Sequence, residues 1–246
     1  IIEGRIDQAN GVTLKGTTIS HLRLDDGRII RGKMFIDASY EGDLMAAAGV
    51  SFLTGRESNK EFDETHNGYT GTNHGNQVEV EIDAYLTPGD PTSGLIRGIT
   101  NPAPNAFNTV IGAGDHRFQA YCYRLCLTDA PENRISINKP KGYDEADFEI
   151  VLRAVEAGKK HRFFKTSPMP NRKTDSNNAS GISMDYVGKN YGIDKNGKSW
   201  NWATLRHKQR DVLANEHANW QLGLIWTIQN HPRVPEGIRK AWSQWG

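Results

Sequence analysis

The sequence predicts a mixed α+β or α/β fold, on three observations. A short apolar run, Met34-Phe35-Ile36, leads through a polar turn into a small-residue helix ending near Gly49. Glycine-punctuated apolar runs precede it, as in a β-meander. Two helical patterns follow residue 200, after long polar loops. The 246 residues are enough to bury a sizeable core. Thirty Lys and Arg against 29 Asp and Glu leave a net charge of +1, so no global field draws the chain to nucleic acid or an anionic membrane. No apolar run approaches the ~18 residues that a spanning helix needs. Composition specifies neither a compartment nor an oligomeric state.

Residues 1–36 read as a meander. Gly11, Gly16, Asp26-Gly27 and Gly32 separate its apolar runs, and residues 22–30 form a hairpin on the Asp-Gly turn. Met34-Phe35-Ile36 reads as a strand buried on both faces, as in a parallel sheet. Leu44 to Gly49 is helical, with Gly49 as its C-cap. Such a strand-turn-helix is half of a nucleotide-binding unit, because a helix N-terminus offers free N–H groups and a positive dipole end. A parallel strand needs neighbours that this chain does not obviously supply. With no initiating Met, the chain therefore reads as a segment of a longer protein.

Residues 54–118 are rich in Gly, Asn, Thr and Pro, so they read as ordered loops over a sheet. Val78 to Ile82 alternates like a strand. Gly112-Ala113-Gly114 lacks the third glycine and the following helix of a dinucleotide fingerprint. Residues 118–128 form the clearest strand. It carries Cys122 and Cys126, which would lie about 13 Å apart on one face at ~3.3 Å per residue, too far for a disulfide. Buried inert thiols are expected, and two thiols alone do not make a zinc site. Asp144 caps a helix reaching Gly158, with Phe148, Val151, Leu152 and Val155 on one face. Residues 165–199 read as a polar loop. The longest helix covers roughly 203–230, with Leu205, Val212, Leu213, Trp220, Leu224, Ile225 and Ile228 at helical spacing. Pro232 ends it and Pro235 opens a last short helix through Trp242.

The turn Asp37 to Asp43 has two readings. In one it lines a cofactor groove at the carboxyl end of its strand, where Ala38, Ser39 and Gly42 admit a close backbone approach. In the other it is a capped helix start, with Asp37 or Ser39 as N-cap and Glu41 or Asp43 complementing the dipole. Spacing leaves both open. Arg124 shares a strand face with small residues, which suits either a pocket wall or a structural ion pair; a guanidinium there can hold a carboxylate, a phosphate or a flavin edge. Lys173 to Asn178 packs donors and acceptors into six residues, as a loop binding a polyol or a surface turn would. His66 and His74, beside Asn67, Asn73 and Asn76, can position a proton donor or acceptor. They lack a third ligand at metal spacing, so no metal is assigned. Trp200, Trp202, Trp226, Trp242 and Trp245 suit a sugar platform, while Trp220 fits the helix core.

Asp37-Ala38-Ser39-Tyr40-Glu41-Gly42-Asp43-Leu44 resembles the FAD-dependent oxidoreductases whose strand ends in Asp-Ala-Thr-Tyr-Glu-Gly-Asp-Leu, with Ser39 in place of Thr. Residues 28–38, 119–128, 173–178 and Arg233-Val234-Pro235 resemble further segments of that family. The resemblance implies part of a FAD/NAD(P)-binding sheet with its meander in residues 1–53, and a substrate domain in residues 54–246. It implies FAD as cofactor and hydride transfer with a small polar, sugar-like substrate. Asp37, Ala38, Ser39, Glu41, Gly42, Asp43 and Asn177 are then cofactor contacts, and Arg124, Lys173 and His74 catalytic candidates. The family's Gly-x-Gly-x-x-Gly unit and its carboxy-terminal flavin segment do not occur in this sequence. The competing readings are a non-catalytic carbohydrate-binding or structural module, and a lyase or hydrolase acting on polysaccharide. The second has no paired carboxylate or nucleophile motif behind it.

Overall fold

The computed structural model describes residues 1–71, 80–97, 99, 110–115, 123–163, 165–177 and 202–246. Short apolar runs and a tight turn build the first sheet. Strands β1 (Val12–Lys15), β2 (Thr18–Arg23) and β3 (Ile29–Ile30) pair antiparallel in that order. Leu22 faces Ile30 and Arg23 faces Ile29 around the Asp26-Gly27 turn. Gly27 sits at φ 88°, a conformation that side chains disfavour.

Met34-Phe35-Ile36 does not form the expected strand. An extended segment becomes a strand only when a neighbour accepts its ladder bonds, and no described strand lies beside it. Met34 and Ile36 are each 79% exposed. Tyr40, Val50, Phe52 and Leu53 are exposed nearby in sequence, and Leu24 is the one buried apolar side chain of residues 1–53. This part of the chain buries almost no core of its own.

Helix α1 (Asp43–Ala47) follows. Its N-cap is Gly42, at φ 69°, and not the expected Asp37 or Ser39. The turn folds back, so Asp37 reaches the helix from eight residues away. Gly49 closes the helix in a Schellman motif, with its N–H on the Ala46 carbonyl and that of Val50 on Met45.

The second sheet has the order β4-β6-β5, from β4 (Leu125–Thr128), β5 (Lys165–Met169) and β6 (Lys173–Asn177), all antiparallel. The polar run Lys173 to Asn177 is therefore the central strand and not a loop. Asn171 and Arg172, both at positive φ, turn the chain between β5 and β6. Pro168 is tolerated because β5 is an edge strand. Cys126 is exposed, against expectation, since its face of β4 points away from the core. Of the expected strand over 118–128, residues 118–122, including Cys122, lie outside the described residues. So do Val78 and Glu79, while Val80 to Ile82 is not a strand. Val80 and Ile82 pack against the core instead.

Asp144 caps a 3-10 turn (Glu145–Phe148) through the Ala146 N–H, and α2 (Glu149–Glu156) continues from it. Gly158, at φ 102°, ends α2 in a second Schellman motif. A 3-10 turn (Trp202–Thr204) leads into α3 (His207–Asn230), and α4 (Glu236–Trp242) follows Pro235. The main core lies where α2 and α3 meet β4. Phe148, Val151, Leu152, Trp220, Leu224 and Ile228 are buried there. Val212 is exposed, because the inward line of α3 passes through Leu213.

Helix α3 approaches the 3-10 turn before α2 through Gly223, where an added Cβ would lie 2.4 Å from Phe148 Cζ. Glycine to alanine in a helix normally gains about 1 kcal/mol. Here overpacking of about 1–3 kcal/mol outweighs that gain. Gly223→Ala is expected to lower the urea midpoint, and a raised midpoint would contradict the close approach.

Candidate functional site

The turn at residues 37–43 is held from inside and from outside. Inside, Asp37 Oδ1 accepts from the Ser39 N–H (3.0 Å) and hydroxyl (2.7 Å), and Oδ2 accepts from the Met45 N–H (3.0 Å). Ser39 Oγ accepts from the Gly42 N–H at 3.0 Å. Asp37 thus serves as a remote cap for α1. Burial pushes its carboxyl up, but the bonds from Ser39 and Met45 outweigh burial and hold it below the usual carboxylate value.

Outside, the start of α3 grips the turn. Arg210 makes a bidentate pair with Asp43, at 2.6 and 2.8 Å. The same guanidinium donates to the carbonyls of Trp202 (3.1 Å) and Ala203 (2.7 Å). Arg210 is only 7% exposed, so losing Asp43 would leave a buried cation without its carboxylate. Burial raises the Asp43 carboxyl, but the Arg210 hydrogen bonds and charge more than offset it, leaving it depressed. Trp202 Nε1 donates to Glu41 Oε1 at 2.7 Å. Gln8 accepts from the His207 N–H at 2.8 Å, capping α3 from the far side of the chain. His207 Nε2 lies 2.9 Å from the Ile6 carbonyl, which can only accept, so this nitrogen carries the proton.

Asp37, Ser39, Glu41, Gly42 and Asp43 are thus gathered at one junction, with their acids engaged by protein partners. Ala38 and Ser39 are the exposed small residues of the turn, and Tyr40 beside them is 91% exposed. What the turn offers a bound nucleotide is this small-residue edge with an apolar flank. A phosphate cradle is not found at Gly112 and Gly114. The space a Cβ would take there is filled by Asn59 and by the backbone of residues 56–58. That loop is pinned by the Arg56–Asp115 pair.

A second group lies on the second sheet. Cys126, Asp175 and Lys173 share the face turned away from Leu127, Thr174 and Ser176, because cross-strand partners point the same way, and Arg124, just before β4, joins it through Asp175. Arg124 donates to Asp175 at 2.7 Å, with the Arg124 side chain 66% exposed. This is the ion-pair alternative for Arg124, and an exposed pair of this kind contributes about 0–1 kcal/mol. Lys173, opposite Thr128, is exposed and sits about 13 Å along the sheet from Arg124 at ~3.3 Å per residue. Lys173 also borders an open cleft of about 370 Å³ with Cys126, Asn133, Ile135 and Gly246. Asn177 occupies the end of β6, opposite Lys165, and its side chain lies outside the description. His74, Asn73, Asn76, Asn178 and Trp200 also lie outside the described residues. His66 is exposed.

Sequence reasoning missed Arg210, His207 and Gln8, and it read Trp202 as part of a sugar platform, not as the partner of Glu41. A signal did exist for Arg210. It shares one line of α3 with His217 and Gln221, seven and eleven residues on and within about 20° of it at 3.6 residues per turn. All three are buried, and the His217 ring lies 6.5 Å from that of Tyr123, the neighbour of Arg124. Three polar residues on the buried line of a helix mark an interior that is not purely apolar.

Among the described residues, no helix is long and apolar enough to cross a membrane, and no three His, Cys, Asp or Glu side chains gather as metal ligands. Comparison with curated proteins and with solved structures found no match. The model of the family described as FAD dependent oxidoreductase matches residues 6–245. That span takes in the meander, the turn and the described sheets and α-helices, so the chain belongs to the FAD dependent oxidoreductase family, with FAD as its cofactor and a flavin-linked redox role.

Proposed function

We propose that the protein transfers hydride between a small polar, sugar-like substrate and FAD. Bound flavin supplies the redox chemistry, and the chain binds and orients the reactants. The observation that carries this reading is the family match across residues 6–245. In this reading residues 1–53 belong to the cofactor domain and residues 54–246 to the substrate domain. Asp37 to Asp43 borders the cofactor: Ala38 and Ser39 give a small exposed edge, and Glu41, Gly42 and Asp43 hold that edge in place. Lys173 on β6, and Arg124 just before β4 through the N–H groups that Asp175 does not engage, donate toward substrate or a flavin edge. Asn177 is a further cofactor contact on β6, and His74 the proton donor or acceptor. The exposure of Arg124 and Lys173 on one sheet face supports their assignment together.

The test is anaerobic mixing of the FAD-loaded full-length protein with a panel of sugars, polyols, amines and thiols. Loss of the visible flavin band with a sugar or polyol is expected, slowed by deuterium at the carbon that bears the reacting hydroxyl. Bleaching by amines or thiols alone would contradict the substrate class.

A further inference from the structure

We propose that Arg210 is a positioning residue for the cofactor turn, and that its clamp on Asp43 sets how tightly the protein holds FAD. The inference rests on the reading of Asp37 to Asp43 as cofactor-facing. The bonds within the turn fix its shape but not its place. Its flanks give it little anchorage: Met34 and Ile36 before it, and Val50, Phe52 and Leu53 after it, are exposed. Its side-chain ties to the rest of the chain run through Glu41, held by Trp202, and Asp43, held by Arg210, by Gln8 at 3.5 Å and by His207 Nδ1 at 3.9 Å.

Of these ties the Arg210 pair has the strictest geometry. Two carbonyls of the preceding 3-10 turn hold the guanidinium on its other edge, so the fork is aimed before Asp43 arrives. Lysine cannot reproduce four directed bonds from one flat group. The buried line that starts at Arg210 continues through His217 to Tyr123, beside Arg124. One helix therefore runs from the turn to the residues just before β4, where Arg124 lies, and a shift at Arg210 moves one group relative to the other. A clamp that only stabilised the fold would leave the cofactor's surroundings unaltered once the protein is folded.

The experiment is FAD titration of the full-length protein, read by quenching of flavin fluorescence and by the visible bands. Wild type is compared with Arg210→Met, Arg210→Lys, Asp43→Asn and, as a control, Arg233→Met. Arg210→Met is expected to weaken FAD binding about 10–100-fold, the scale on which residues that orient metal ligands act on metal affinity. It also shifts the bands of the flavin that remains bound, and Arg210→Lys loses less. Arg233→Met is expected to lower the unfolding midpoint and leave FAD affinity within about twofold, as distant sites act independently. A folded Arg210→Met protein with wild-type affinity and bands overturns the proposal. If Arg210→Met does not fold, Arg210→Lys and Asp43→Asn carry the same test, and wild-type affinity in both overturns it. A wild-type full-length protein that takes up no FAD overturns the cofactor reading of the turn, and with it the clamp.

Discussion

Phe148→Ala is expected to cost about 3–5 kcal/mol, the range for emptying a buried aromatic site. Phe148 is 2% exposed and stacks between two rings. Its centroid is 5.0 Å from that of Tyr143, at 15° between planes, and 5.0 Å from that of Trp220, at 25°. Each stack adds about 0.5–1.5 kcal/mol beyond buried area. Gly223 lies directly against the ring, so α3 has no side chain there to fill the hole. A domain is stable by only about 5–15 kcal/mol, so the loss is a large share of the total. Phe148→Leu keeps more volume and should lose less. Urea unfolding of both variants checks this, and a loss below about 1 kcal/mol for the alanine variant would contradict the packing described.

Arg233→Met is expected to cost about 2–3 kcal/mol near neutral pH. That is less than the full cost of breaking a buried pair, because the Arg233 side chain is 34% exposed and that of Glu156 is 47% exposed. Arg233 bridges two acids seven residues apart on α2. It donates to Glu149 at 2.6 and 3.2 Å and to Glu156 at 2.7 and 2.9 Å. Its removal leaves the two carboxylates near one another, with Arg153 still on Glu149 at 2.7 Å. Hydrogen bonds from Arg233 hold both acids below the usual glutamate value, and each is partly opposed by burial. A carboxylate depressed in the folded state stabilises fully above its unfolded pKa, about 4.3, and that stabilisation is lost as pH falls through the folded value. The gap between wild type and Arg233→Met should therefore be widest at neutral pH and shrink in acid. Thermal unfolding at a series of pH values measures it, and a gap that stays constant into acid would contradict the assignment.

Much of the helical framework was legible in the sequence because its signals are local. Asp144, Gly158, Pro232 and Pro235 mark ends by capping and by proline's missing N–H, and Asp26-Gly27 marks a turn. The β5–β6 hairpin was not legible. Its central strand, Lys173-Thr174-Asp175-Ser176-Asn177, has no apolar side chain, so alternation could not reveal that Thr174 and Ser176 are buried. Met34-Phe35-Ile36 failed in the opposite sense: the pattern is that of a strand, but a strand also requires a pairing neighbour. At the candidate site, the residues of the turn were legible from their order along the chain. The partners that hold the turn were not, since Arg210 reaches Asp43 across 167 positions and Trp202 reaches Glu41 across 161. Only folding brings such groups together: the polar line of Arg210, His217 and Gln221 sets Arg210 apart in its helix but does not name Asp43 as its partner.

The central claim is that this chain belongs to a protein that holds FAD and works through it. The most direct test is the visible absorption spectrum of the full-length protein as purified, followed by denaturation and identification of what is released. The account predicts flavin bands in the folded protein and FAD in the released fraction, in stoichiometric amount. A colourless protein that also takes up no added FAD would contradict it.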